Sequence, residues 1–257
     1  MLELYKGYFH EIIIFSPTLL NDDKWDYAKK LQLREENKPL LKFLSSLDGD
    51  GDDENKMFPH LMEKAKSKKK FDPKIPEANF IVEYTPEKLE GFVEEQNGMI
   101  EFLKSHDQPK YLANRICVIF DDLVGSDLFD GGRKNYFTGF NTRHRHYSFS
   151  MFMISQAFKA IPKTIRTQWT CLTAFRIGSD KEVESIYEEF PMGLKRNEWE
   201  AVYKYCTEGM HDFFFVDFQK PRGEQIMKNF DTFILEGGEP PEYTEEDEHV
   251  NKKQKVV

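Results

Sequence analysis

Apolar residues fall in short continuous runs separated by stretches with helical spacing. Glu11-Ile-Ile-Ile-Phe-Ser, stopped by Pro17, is one such run, and Arg115–Phe120 and Phe149–Ser155 are two more. Runs of this length without polar alternation suit strands buried on both faces, as in parallel sheets. Asn79–Tyr84, Thr170–Ile177 and Asp212–Phe218 read as further strands. Asn21-Asp22-Asp23 offers an N-cap to a helix over Trp25–Glu36. Thr85-Pro-Glu-Lys opens another that runs through Phe102, with Thr at the N-cap and Pro at the first position. Asp127–Arg143 is predicted to be largely helical, with a break at Gly131-Gly132, and Arg196–Thr207 is a further helix. Met1–Phe9 reads as the end of a helix with Leu2, Leu4, Tyr5 and Tyr8 on its apolar face. Strands alternating with helices predict an α/β fold on a mainly parallel sheet, occupying 1–235 as one domain. Ser45–Pro73 is expected to be an insertion loop, and 236–257 an acidic, disordered tail.

Composition narrows the class. The chain has 257 residues, 39% hydrophobic and 14% aromatic with 23 Phe, enough to bury a core and too many for a low-complexity chain. No apolar run approaches the ~20 residues that cross a bilayer, and Met1-Leu-Glu-Leu-Tyr-Lys lacks the features of a signal peptide. Cys117, Cys171 and Cys206 are spaced for neither a disulfide framework nor a zinc cluster. The expectation is a soluble protein, neither secreted nor in a membrane.

Charge changes the picture. The net charge is −9, yet the 49 residues from Gly131 to Ser179 hold no Asp or Glu. They carry eight basic residues, Arg133, Lys134, Arg143, Arg145, Lys159, Lys163, Arg166 and Arg176, while acids gather in Asp48–Glu54 and Glu236–Glu248. The basic stretch reads either as a surface for a polyanion or as one solvated basic face. The acidic run Asp48-Gly-Asp-Gly-Asp-Asp fails as a calcium loop: its sixth position is Asp53 instead of Gly and its twelfth is Pro59 instead of Glu.

Three segments could carry chemistry. Arg115-Ile-Cys-Val-Ile-Phe-Asp121-Asp122 is a buried strand delivering two carboxylates at its C-terminal end, the Walker B pattern. In that pattern Asp121 would hold the Mg2+ of a bound nucleotide, directly or through water, and Asp122 would polarise the attacking water. An apolar strand closed by a capping Asp is the plainer reading. Gln156 ends the strand after Thr142-Arg-His-Arg-His-Tyr147 and is placed to sense a γ-phosphate; it could equally be a polar strand end. The Arg-His repeat could bind phosphates, bind a metal or simply be exposed. Ala160-Ile-Pro-Lys-Thr-Ile-Arg166 follows as a short basic segment, or as a plain loop between strands.

Taken in order, these segments resemble the genome-packaging ATPases of large DNA viruses, virophages and related transposons, in the FtsK–HerA superfamily of P-loop motors. The resemblance rests on Glu11-Ile-Ile-Ile-Phe-Ser-Pro-Thr with Asp23 and Trp25, Val118-Ile-Phe-Asp-Asp, Arg145-His-Tyr, Ser155-Gln156 and Ile161-Pro-Lys-Thr-Ile-Arg166. It spans roughly residues 5–235. It implies a RecA-like ATPase that binds ATP and Mg2+, associates with itself into a ring, and moves double-stranded DNA into a capsid, with capsid or portal proteins as partners. The expected location is host cytoplasm or nucleus, a viral factory or the virion. The resemblance makes Asp121 and Asp122 the Walker B pair, Gln156 the sensor and Arg145 an arginine finger for a neighbouring subunit, with Arg143 as second choice. Lys159, Lys163 and Arg166 become candidate contacts to DNA backbone phosphates.

One family feature is missing. None of the 15 glycines is followed by Lys-Ser or Lys-Thr, so the 257 residues contain no G-x-x-x-x-G-K-[ST] phosphate loop. A fragment whose loop lies upstream of Met1 and a decayed or non-catalytic copy are both open, the former favoured. Without the loop the chain is expected to bind ATP poorly or not at all, and the sensor strand is expected to have an unpaired edge. Two other functions remain: a non-catalytic DNA-binding or assembly subunit using the basic segment, and, ranked last, a metal-dependent nuclease using Asp121 and Asp122.

Overall fold

The computed structural model describes residues 2–47, 63, 70–123, 125–130, 135–221 and 223–234. The acidic run from Asp48, the Gly131-Gly132 break with Arg133 and Lys134, and the tail 236–257 lie outside them. The chain divides into two compact units, Met1–Ile165 and Arg166–Val257.

The first unit is built on a four-stranded sheet of order β2-β1-β3-β4, comprising β1 (Glu11–Phe15), β2 (Phe80–Ile81), β3 (Ile116–Asp121) and β4 (Phe149–Ile154). Every neighbouring pair is parallel. In register, Ile12 lies beside Cys117 and Ile14 beside Ile119, so one face carries these four, packed with Phe9, Leu19, Trp25 and Ala28. The opposite face carries Ile13, Phe15, Val118 and Phe120. There Phe15 and Phe120 stack with ring centroids 5.3 Å apart, and Phe137 meets Phe120 edge-on at 4.9 Å. Burial on both faces is why β1 and β3 are apolar at nearly every position.

Helix α1 (Asp23–Lys30) is capped by Asp22, whose carboxylate accepts from the Lys24 amide at 3.0 Å. The helix ends six residues short of the predicted Glu36. Beyond it Gln32 bridges Lys74, and the amides of Leu33 and Arg34 bond the Pro73 carbonyl, so tertiary pairing takes over from helix propensity. Helix α2 (Lys38–Ser46), which the apolar pattern did not reveal, buries Leu40 and Leu44 against α3 (Pro86–Ser105). The predicted N-terminal helix is a single 3-10 turn, Leu2–Tyr5, followed by Gly7 at φ 73°. The predicted helix over Asp127–Arg143 is a 3-10 turn at Asp127–Phe129 and then α4 (Tyr136–Arg143).

Strand β4 is last in the sheet order and pairs only with β3 among the described residues. After it comes the short α5 (Lys163–Arg166).

The second unit holds a second four-stranded sheet, β5 (Cys171–Phe175), β6 (Phe213–Asp217), β7 (Ile226–Lys228) and β8 (Thr232–Phe233), in sequential order and antiparallel throughout. The parallel architecture therefore belongs to the first unit alone. In the second unit α6 (Asp180–Glu189) and α7 (Arg196–Cys206) join β5 to β6, and Trp199 and Tyr203 of α7 pack their rings on Phe214.

Candidate active site at the carboxyl ends of the parallel strands

In a parallel sheet all strands end on the same side, where backbone connections open a crevice. β1 delivers Ser16 and Thr18 there, β3 delivers Asp121 and Asp122, and β4 delivers Gln156. Asp121 is buried, at 2% exposure. A buried carboxylate needs hydrogen bonds and a countercharge, and this one has both. Its Oδ2 accepts from Ser16 Oγ at 2.8 Å and Thr18 Oγ1 at 3.5 Å, and faces Lys24 Nζ at 3.3 Å. Trp25, itself buried, donates Nε1–H to Thr18 Oγ1 at 3.2 Å and so fixes that hydroxyl. Lys24 also pairs with Asp22 at 2.9 Å. Partial burial pulls its pKa down, but the hydrogen bond to Asp22 and the charge of Asp121 outweigh this and hold it above the usual value.

Asp122 continues the strand ladder, its amide donating to the Ile154 carbonyl at 3.0 Å, with its backbone at φ 52°. A left-handed conformation at a non-glycine residue costs energy and turns the side chain out of the strand's alternation. Asp122 is half-buried there, directly after the buried Asp121. Gln156 lies two residues beyond Ile154, which is in register with Asp121, and is exposed at the same edge.

This donor set fits a Mg2+ ion in one way. Among the described residues no group of three or more His, Cys, Asp or Glu could cage a metal. One carboxylate with adjacent hydroxyls is nevertheless the protein share typical of Mg2+ that takes its remaining ligands from water and phosphate.

The other predicted residues separate. Arg143 ends α4, and Arg145 lies in the 3-10 turn His144–Tyr147 that leads into β4. Both are exposed at the amino end of the strand. Strand β4 spans six residues, on the order of 20 Å, which separates both guanidinium groups from Asp121 and Asp122 of the same chain. Lys159 and Lys163 follow β4 and are exposed on the acid side. Arg166 differs from them. It is 8% exposed and donates Nε–H to both Glu189 oxygens at 3.1 Å, with Nη2 2.5 Å from Oε2. It is a buried ion pair and is not presented to a polyanion. Arg176 bonds the carbonyls of Thr207 and Glu208 but stays exposed. Among the described residues, the exposed cations of the acid-free stretch are Arg143 and Arg145 before β4, Lys159 and Lys163 after it, and Arg176 in the second unit.

Ser16, Thr18 and Lys24 had no assigned role in the sequence. The signal for Ser16 and Thr18 was their place directly after a buried strand; nothing marked Lys24.

The geometry defines a class: an α/β protein whose parallel sheet presents a paired-acid ligand site at its strand ends. The chain belongs to the poxvirus A32 protein family, whose profile matches residues 61–203, more than half of its length. That match bears out the resemblance to viral genome-packaging ATPases and contains Asp121, Asp122, Arg143, Arg145, Gln156, Lys159 and Lys163. Ser16–Trp25 lie before it. Among solved structures, the DNA-packaging ATPase B204 from Sulfolobus Turreted Icosahedral Virus is 14% identical, with 82% of this chain and 93% of that chain covered, at a TM-score of 0.39. The genome packaging NTPase B204 from Sulfolobus turreted icosahedral virus 2, in complex with AMPPCP, is 11% identical, with 89% and 99% covered, at a TM-score of 0.40. Both likenesses are distant. No curated protein matches the chain. No described helix is long and apolar enough to cross a membrane.

Proposed function

We propose that this chain is a DNA-packaging ATPase subunit that works as part of a self-assembled ring on double-stranded DNA. The observation that carries the reading is the convergence of Asp121, Asp122 and Gln156 at one edge of a parallel sheet, in a chain of this family. A Mg2+ held at Asp121 would neutralise charge on the phosphates of bound ATP. Asp122, turned outward by its backbone, accepts a proton from the attacking water, and Gln156 orients that water from the neighbouring strand. Arg145, separated from the acids of its own chain by the length of β4, serves the site of an adjacent copy, with Arg143 as the alternative; this supports self-association. Lys159 and Lys163 contact DNA phosphates, while Arg166 is withdrawn from that set by Glu189. Lacking a Gly-rich amide cradle, the 257 residues by themselves hold ATP weakly.

Phosphate release with Mg-ATP taken into the millimolar range, with and without double-stranded DNA, tests this. Hydrolysis by the 257 residues alone is expected to be absent or barely detectable even at high nucleotide, and any that appears should vanish in Asp122→Asn. Salt-dependent DNA binding indifferent to ATP at every concentration, and to Asp121→Asn, would sink the ATPase reading and favour a non-catalytic DNA-binding subunit.

A further inference from the structure

The buried Asp121 carboxylate is paired with a half-exposed lysine, Lys24. The side chain of Asp121 is 3% exposed and that of Lys24 is 50% exposed. Three groups converge on Oδ2, and they differ in kind. Ser16 is fully buried, and the Thr18 hydroxyl is held by Trp25, so both are neutral and fixed by packing. Lys24 is charged and long, and it stands between two carboxylates, 3.3 Å from Asp121 Oδ2 and 2.9 Å from Asp22 Oδ2. The Trp25 ring centroid lies 5.1 Å from the same ammonium. Asp22 is itself anchored, because its Oδ1 caps α1 through the Lys24 amide.

We infer that Lys24 is a displaceable counter-ion: its ammonium holds the cation position at Asp121 and gives way to a divalent ion, withdrawing to Asp22. The inference rests on reading Asp121 as the metal-holding acid. A buried carboxylate without a cation is strongly unfavourable, so in the absence of metal the ammonium stabilises it. Two cations on one oxygen repel, so the ion and Lys24 exclude each other there. The four-carbon stem moves without any backbone change. Asp22 keeps the withdrawn ammonium paired, so displacement does not leave a bare charge. The arrangement keeps the acid site intact when empty and makes metal entry a substitution.

The test is binding of Mn2+ alone, without nucleotide, to the full chain, read from the electron paramagnetic resonance signal of the free ion. Lys24→Met is expected to bind Mn2+ ~10-fold or more tightly than wild type. The gain should persist at about 0.5 M salt, where distant charges are screened. Lys24→Gln repeats the measurement if Lys24→Met does not fold. Asp22→Asn keeps the helix cap but removes the landing place, so it should bind Mn2+ more weakly. A Lys24 variant no tighter than wild type, including no measurable binding by either, overturns the inference; so does an Asp22→Asn chain that binds more tightly. The double variant Lys24→Met/Asp121→Asn separates the two readings. If it keeps the tight binding, the ion is not on Asp121 and the metal assignment itself falls. If Mn2+ binding depends on Asp121 but not on Lys24, only the counter-ion role falls.

Discussion

Arg166→Met separates a structural role from a DNA-binding one. The guanidinium is 8% exposed and bonded to both oxygens of Glu189, whose side chain is 13% exposed. At about 3 Å and an effective dielectric of about 20, the Coulomb attraction is ~5 kcal/mol, much of it offset by desolvation of both ions. Removing one partner leaves Glu189 buried without a countercharge, for which ~3–5 kcal/mol is the usual loss. Replacing both by Met removes the attraction and the desolvation together, so the double variant should recover most of that loss. Urea unfolding of the four proteins, followed by tryptophan fluorescence, gives the cycle. DNA binding over a salt series gives the second readout. Arg166→Met should keep the wild-type salt slope at a temperature where it is folded. Lys159→Ala and Lys163→Ala should each reduce the slope by about 1 with little change in stability. If Arg166→Met lost less than about 1 kcal/mol and its salt slope fell by about 1, Arg166 would be a phosphate contact and the ion-pair reasoning would be wrong.

Asp122→Val is expected to cost ~1–2 kcal/mol in urea unfolding, because a β-branched residue is strained at φ 52°, while Asp122→Asn stays near wild type. Burial lowers the pKa of His144 from its usual value of 6.5, Arg145 adds to this, and the hydrogen bond with the Asn141 carbonyl only partly opposes it. The unfolded chain then binds the proton more readily than the folded one. The stability His144 contributes is present above pH 6.5 and is lost as pH falls toward its folded value. Stability measured between pH 7 and pH 5 should therefore decline less in His144→Gln; equal declines would refute this. The Asn141 amide is buried with neither end bonded, so Asn141→Leu should stabilise the chain by ~1–3 kcal/mol, and a loss of stability would point to a bound internal water.

The parallel sheet was legible because its strands announce themselves. Ile12-Ile-Ile-Phe15 and Cys117-Val-Ile-Phe120 are apolar at every position, a pattern that burial on both faces demands and few other environments allow. Of the second sheet only β5 and β6 were legible, and only as strands; β7 (Ile226–Lys228) and β8 (Thr232–Phe233) carried no signal long enough to read. Phe213–Asp217 is almost as apolar as β3, yet its neighbours run antiparallel, and direction depends on connections that no periodicity encodes, among them the tight return through Asn229 (φ 58°) between β7 and β8. Ends of helices failed where long-range contacts won. Nothing local stops α1 at Lys30; the partner that ends it, Pro73, is more than forty residues away.

The site divides along the same line. Asp121 and Asp122 could be read because their chemistry and their position are both local: two acids closing an apolar strand. Gln156 could be read from its strand end only as one of two alternatives, Arg145 was singled out only by a resemblance, and the fold adds direction to both. Since β4 runs parallel to β3, whatever precedes it is carried away from the acids and whatever follows it is carried toward them. Arg143 and Arg145 precede it; Gln156, Lys159 and Lys163 follow it. Within the acid-free segment, strand polarity sorts Arg143 and Arg145 from Gln156, Lys159 and Lys163, which the sign of charge does not do. Lys24 was invisible for the opposite reason. One more lysine on a helix carrying Asp22, Asp23 and Asp26 has no local distinction, and its contact with Asp121 joins residues about a hundred positions apart. A side chain of that kind becomes informative only when a buried charge elsewhere requires a partner and the structure supplies one.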